Sequence, residues 1–197
     1  TVHLVRALQL YEKLGDVTGM AHAHRRLALA FEHQGDYERG LRHAEEALQL
    51  FAQDGHRSGE ARALNAVGWF HYRLGEPDVT LSLCQRALEL QREIGARYDQ
   101  ADTMDSLGRA HHQLGHEEQA ICCLQDAMQL YKELGHRYQE ADEYIMLGEV
   151  HLAAGRIELT RVAWQHAISI LDELGHPDAD RVRTKLAALA KDESMVP

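Results

Sequence analysis

The chain has 197 residues, 45% of them hydrophobic and 26% charged, with only three prolines, which excludes a disordered polymer and leaves enough apolar side chain for a sizeable core. A net charge of −10 with no basic run argues against contact with a nucleic-acid backbone. No apolar stretch approaches the ~20 residues that a membrane-spanning helix needs.

Residues 2–14 (VHLVRALQLYEKL) carry apolar side chains at helical spacing and read as a helix, not as a secretory leader. They fit the second helix of a truncated unit, and from the start in mid-pattern without Met we expect a piece of a longer protein. From there the chain repeats every forty residues. Gly15, Gly55, Gly95, Gly135 and Gly175 keep that step, as do Gly35, Gly75, Gly115 and Gly155. Ala47, Ala87, Ala127 and Ala167 form a further column, extended backwards by Ala7, and Ala21, Ala61, Ala101 and Ala141 another. Full units are expected at 17–53, 57–93, 97–133 and 137–173, each two amphipathic helices of about 16–18 residues closed by a glycine. Residues 177–191 form a last helix, with Pro177 at its start. Its sparser apolar residues (Val182, Leu186, Leu189) suit a capping helix with a polar outer side.

Leu27, Val67, Leu107 and Leu147 are each followed by a small residue: Ala28, Gly68, Gly108 and Gly148. A mid-helix glycine costs roughly 1 kcal/mol against alanine, so its recurrence predicts close approach of a neighbouring helix. Cys84 shares a column with Ala44, Leu124 and Trp164, which is a packing slot. The odd count of cysteines, with Cys122 and Cys123 adjacent, is no disulfide framework and points to a reducing, cytoplasmic setting.

The stretch ADTMDSLGRAHHQLGHEEQAICCLQDAMQLYKELG, with Leu107-Gly108, Ala120 and Ala127 in the packing slots, resembles the tetratricopeptide repeat (TPR). The resemblance recurs four times and covers nearly the whole chain. The usual repeat is about 34 residues, so each helix here is longer. The usual Trp slot holds His24, Leu64, Met104 and Tyr144, and the closing Pro is absent. The implied fold is all-α: a right-handed superhelical solenoid of helical hairpins forming a single domain. The closing segment, above all LDELGHPDADRVRTKL, resembles the carboxy-terminal repeats of actinobacterial transcriptional regulators of the SARP/AfsR class. In that class a winged-helix DNA-binding domain and an NB-ARC-type ATPase precede the repeats. The resemblance implies a sensor arm that restrains those domains. Neither a phosphate-binding loop nor a winged helix occurs in this sequence.

In a TPR array the first helix of each hairpin lines the concave face. Counting from the mid-helix small residue places His22, Arg25, Leu29, Glu32 and His33 there in the first unit. Arg62, Asn65, Trp69, Tyr72 and Arg73 follow in the second, and Asp102, Asp105, Arg109, His112 and Gln113 in the third. The fourth contributes Asp142, Ile145, Glu149, Leu152 and Ala153. The expected groove is therefore bipolar, with arginines in the early units, carboxylates in the late ones and two aromatic side chains between. Trp, Tyr and Arg are the residue types that dominate binding hot spots.

Fourteen histidines raise the prospect of a metal site or a pH response. The spacing does not assemble the three or four ligands zinc requires, so no metal or other cofactor is expected. Protonating every histidine would take the net charge from −10 to +4. His111 shares a column with His71 and His151 and reads as structural, His116 reads as a turn residue, and His112 alone of the three faces the groove. No nucleophile–base set converges, so catalysis is not expected. The leading reading is a protein-interaction or sensor module. The alternatives are a small-molecule effector site near Trp69, Tyr72 and His112, and a self-association scaffold.

Overall fold

The computed structural model describes residues 2–194, with side chains described through Leu189. Ten helices follow one another: α1 (Val2–Leu14), α2 (Val17–Glu32), α3 (Tyr37–Gln53), α4 (Arg57–Arg73), α5 (Pro77–Glu93), α6 (Arg97–Gln113), α7 (Glu117–Leu134), α8 (Arg137–Ala153), α9 (Ile157–Glu173) and α10 (Asp178–Ser194). No strand is present among the described residues, and the fold is the all-α tandem of helical repeats expected from the sequence period.

Starts and stops are locally encoded. Asp16 accepts a hydrogen bond from the Gly19 N–H at 2.8 Å and caps α2, and Asp36 does the same for the Arg39 N–H at 3.1 Å. His56, directly after the helix-closing Gly55, caps α4: its Nδ1 accepts from the Gly59 N–H at 2.9 Å. At the other end, Gly135 (φ +77°) closes α7 while the His136 N–H bonds back to the Tyr131 carbonyl at 2.8 Å. A side chain at that left-handed φ would clash with its own backbone, which is why glycine recurs at the step of the repeat.

The chain divides into two compact units, Thr1–Ala110 and His111–Pro197. In the first, α2 packs on α1 and α3, α3 on α4, and α4 on α5. Phe51 and Phe70, both essentially fully buried, anchor the interior among Ala21, Ala28, Ala44, Ala47, Ala63 and Val67. Burying each ring contributes about 1.5–3 kcal/mol. In the second, α8 packs on α7 and α9, and α9 on α10. Trp164, Ile170, Leu171 and Val182 form its core, beside a cluster of Leu124, Leu147 and Val150.

The mid-helix small residues sit where a neighbour is close. A β-carbon at Gly68 would fall 2.6 Å from Cys84 Sγ, and one at Gly148 would run into the Trp164 indole. The two columns are complementary in size: where the partner is a full indole, the facing residue has no side chain. Trp164 also corrects one expectation. Ile145, counted as a groove slot, is 7% exposed and belongs to the core of the second unit. Its carbonyl accepts the Trp164 indole N–H at 3.2 Å, so the large ring draws that part of α8 inward.

Candidate functional site

The first unit contains a cleft of about 430 Å³. Four helices build it: Arg25, Leu29 and Glu32 come from α2, Arg62, Asn65 and Trp69 from α4, Gln91 from the end of α5, and Tyr98, Asp99, Asp102 and Asp105 from α6. Successive inward residues of one helix lie three or four positions apart, so each helix presents a short ladder to the opening.

Trp69 was expected to stand exposed. It is half-buried, and its indole N–H donates to Glu32 Oε1 at 2.5 Å, one repeat earlier in the chain. Tyr72 tilts against it with ring centroids 5.2 Å apart. The Arg73 and Arg109 guanidinium groups lie 5.6 and 5.9 Å from the Trp69 ring, and Arg73 also sits 4.2 Å over the ring of Tyr37, whose hydroxyl it contacts. The indole is thus held between cations and tied at its nitrogen, a fixed apolar platform.

Within the first unit the cleft sets Arg25 and Arg62 against Asp99, Asp102 and Asp105 of the third repeat, and Glu32 adds one acid on the arginine side. Arginines and carboxylates meet in the same cleft. Arg62 Nε donates to Asp99 Oδ2 at 2.8 Å, and Arg109 Nε to Asp105 Oδ1 at 2.6 Å. Arg62 reaches from one repeat's first helix to the first helix of the next, while Arg109 and Asp105 lie one turn apart on α6. Arg25 is held below the ordinary arginine value by burial first, then by the neighbouring cations of Arg62 and Arg26, with Asp99 opposing. One side of the cleft is therefore crowded with positive charge while α6 supplies carboxylates.

The other candidates lie elsewhere. Asp142 and Glu149 stand half-buried on α8, and Glu149 is paired with Lys185. His112 is half-buried at the end of α6, and every residue lining the cleft precedes it in the chain. His111 Nδ1 lies 3.4 Å from His116 Nδ1, and its pKa is lowered by burial and then by that neighbour. Among the described residues no three His, Cys, Asp or Glu side chains gather as a metal site requires. Cys84 is fully buried, its Sγ donates to Asn65 Oδ1 at 3.3 Å, and burial pushes its thiol up to about 12, which makes it unreactive.

The cleft residues missed by counting along the first helices include Gln91, Tyr98 and Asp99. Gln91 had a signal in the forty-residue frame. Tyr11, Phe51, Tyr131 and Leu171 are its counterparts, so glutamine breaks an apolar column. Asp99 stands in a second column with Gly19, Gly59, Gln139 and Ala179, and is the one charged residue in it. Those two glycines lie directly against the rings of Tyr11 and Phe51. Gln91 is fully buried, and neither Nε2 nor Oε1 has a hydrogen-bond partner among the described residues. A buried amide left in that state costs about 1–3 kcal/mol.

The TPR sequence pattern matches residues 19–79 and 61–133, more than half of the chain. No curated protein matches the chain in sequence. Among solved structures, BtubC (BKLC) from P. vanneervenii superposes with a TM-score of 0.81 at 19% identity, covering 98% of this chain and 82% of that one. A Rap protein complexed with competence and sporulation factor gives 0.79 at 14% identity, covering 90% of this chain but only 49% of the Rap chain. A putative kinesin light chain from Podosopora anserina with nearly identical TPR-like repeats gives 0.71 at 12% identity, covering 89% and 87%. At these identities the solved structures establish the fold alone. The repeat pattern and the tandem hairpins together place this chain in the tetratricopeptide-repeat family, whose helical repeats serve in general for protein interaction.

Proposed function

We propose that this chain is the regulatory interaction module of a larger transcriptional regulator, binding a peptide segment of a partner or of an attached domain in the cleft of the first unit. The observation that carries the reading is that cleft: a fixed indole, two arginines and four carboxylates converge on one opening. Trp and Arg are among the residue types that dominate binding hot spots. The likeness of the closing LDELGHPDADRVRTKL to SARP/AfsR-class regulators supplies the context, in which occupancy of the cleft would control an ATPase and a DNA-binding domain. The module acts in the cytoplasm without catalysis or cofactor. No helix among the described residues is long and apolar enough to cross a membrane.

Two measurements test this. Peptides retained on the immobilised chain should be lost about tenfold or more when Trp69→Ala or Arg62→Ala is introduced, at unchanged helicity, and unchanged retention in both variants would refute the reading. The open reading frame upstream should encode a phosphate-binding loop; a frame without one reduces the chain to a TPR scaffold. A second reading, a small-molecule effector site, is favoured by one feature, since 430 Å³ lies in the range of small-ligand pockets. Thermal shift against a metabolite panel distinguishes the two.

A further inference from the structure

The first two repeat junctions share one corner of architecture, in which an aromatic side chain near the end of one helix lies against a glycine in the first turn of the next. Tyr11 with Gly19 and Phe51 with Gly59 are the two corners. At the third the chain places Gln91 and Asp99, and there both corner residues line the cleft. Gln91 is fully buried with both amide atoms unpartnered, while its neighbours in the cleft wall include Asp99, held by Arg62. A hydrophobic corner has been exchanged for an unsatisfied polar one at the place where the molecule is open. Departures of this kind, in which local stability is given up, concentrate at functional sites.

We infer that Gln91 is the specificity residue of the cleft and reads a carboxamide edge on the ligand, turning its own amide into the opening as the ligand enters. This rests on the reading of the first-unit cleft as a ligand site. The chemistry follows from what a glutamine side chain offers, one carbonyl acceptor and one NH₂ donor on adjacent atoms. A carboxylate would leave the Gln91 carbonyl unpaired and would meet Asp99. An ammonium or guanidinium group would leave the Gln91 NH₂ unpaired. A carboxamide satisfies both atoms at once. The rest of the cleft fixes what flanks it: Arg25, crowded by Arg26 and Arg62, favours an anionic group, and Asp102 and Asp105 on α6 favour a cationic one. The platform of Trp69 takes an apolar stem.

The test uses pools of tripeptides with Gln at the centre and Glu, Lys or Leu on either side, against matched pools with central Glu or Met, retained on the immobilised chain and quantified by mass spectrometry. Wild type should enrich the Gln-centred pool about tenfold over both others, the value of one well-made hydrogen-bond pair. Gln91→Leu should abolish that preference by bringing retention of the Gln pool down about tenfold to that of the Glu and Met pools, and should raise Tm by a few degrees because the buried amide is gone. Gln91→Met serves in the same role should the leucine variant fail to fold. Free L-glutamine as a competitor separates the sources. Displacement of the Gln pool by glutamine alone assigns the carboxamide to a small molecule, and displacement only by the peptides assigns it to a polypeptide; either agrees with the inference. Equal retention of the Gln, Glu and Met pools, lost in Trp69→Ala, overturns the role of Gln91 while leaving the cleft as a binding site. Retention that Trp69→Ala leaves unchanged overturns both.

Discussion

Phe51 and Gln91 occupy the same place in consecutive repeats of one unit, and the two corners they build differ in almost every physical respect. The Phe51 ring is fully buried against Gly59, flanked by the His22 ring at 5.0 Å and the His56 ring at 5.2 Å, so its surroundings are dry and filled. Gln91 is equally buried but carries two polar atoms without partners, and faces the part of the unit that is open. The backbone fold is the same in both. The difference teaches that the repeat tolerates a polar corner at a cost in stability, and that the cost falls where a cleft makes it useful.

The largest way to break the comparison is at the filled corner. Phe51→Ala should destabilise the first unit by about 3–5 kcal/mol, the usual loss for emptying a buried phenyl site, measured by urea unfolding. The same truncation at Gln91 should cost far less, and a comparable loss there would mean that the amide is satisfied in solution. Gln91→Leu sharpens the contrast with the opposite sign: stability should rise by about 1–3 kcal/mol as the unpaired amide is removed. The pair that braces the polar corner matters less. Arg62 is half-exposed and Asp99 nearly buried, and a double-mutant cycle of Arg62→Ala with Asp99→Asn should return a coupling of about 1 kcal/mol or less, falling further as salt is added.

The smallest effect is the pH dependence of the filled side of the first unit. His24 and His43 face each other through their Nδ1 atoms at 3.0 Å, and His43 stacks on Phe31 with centroids 5.4 Å apart. Both imidazoles are lowered from 6.5, by burial first; His43 is lowered further by His24 and Arg42, while Glu46 pulls the other way on each. Above pH 6.5 the imidazoles are neutral whether folded or not, and stability is at its full value. As the pH falls below 6.5 the unfolded chain binds protons first, so stability declines toward the lowered folded values. Replacing His24 and His43 by leucine should flatten that decline in thermal melts taken between pH 7.5 and 5.5. An unchanged slope would show that other histidines carry it.

Much of this was legible in the sequence, for a definite reason. A forty-residue step in glycine and alanine fixes where helices stop and which faces touch, so the helices, the turns and a close neighbour at Gly68 and Gly148 follow from columns of residues, while the indole that meets Gly148 does not. The inward slots of one helix are also a matter of counting, and Arg25, Arg62, Asn65, Trp69, Asp102 and Asp105 do line the cleft. Counting fails where a side chain leaves its own helix. Trp69 reaches back to Glu32 and Arg62 forward to Asp99, contacts 37 residues apart that tie neighbouring repeats together in the cleft. Ile145 failed for a related reason, since one oversized neighbour, Trp164, decides whether its slot is inside or out.

The sequence by itself determined the period, the helices and the residue types available to each face, because helix geometry and glycine conformation are local properties. Only the tertiary structure decided that Gln91 and Asp99, from the end of one helix and the start of the next, stand in the wall of an opening with Arg62 and Trp69. Burial and hydrogen-bond satisfaction are set by neighbours far along the chain, and a broken column shows that a residue is unusual without showing what surrounds it.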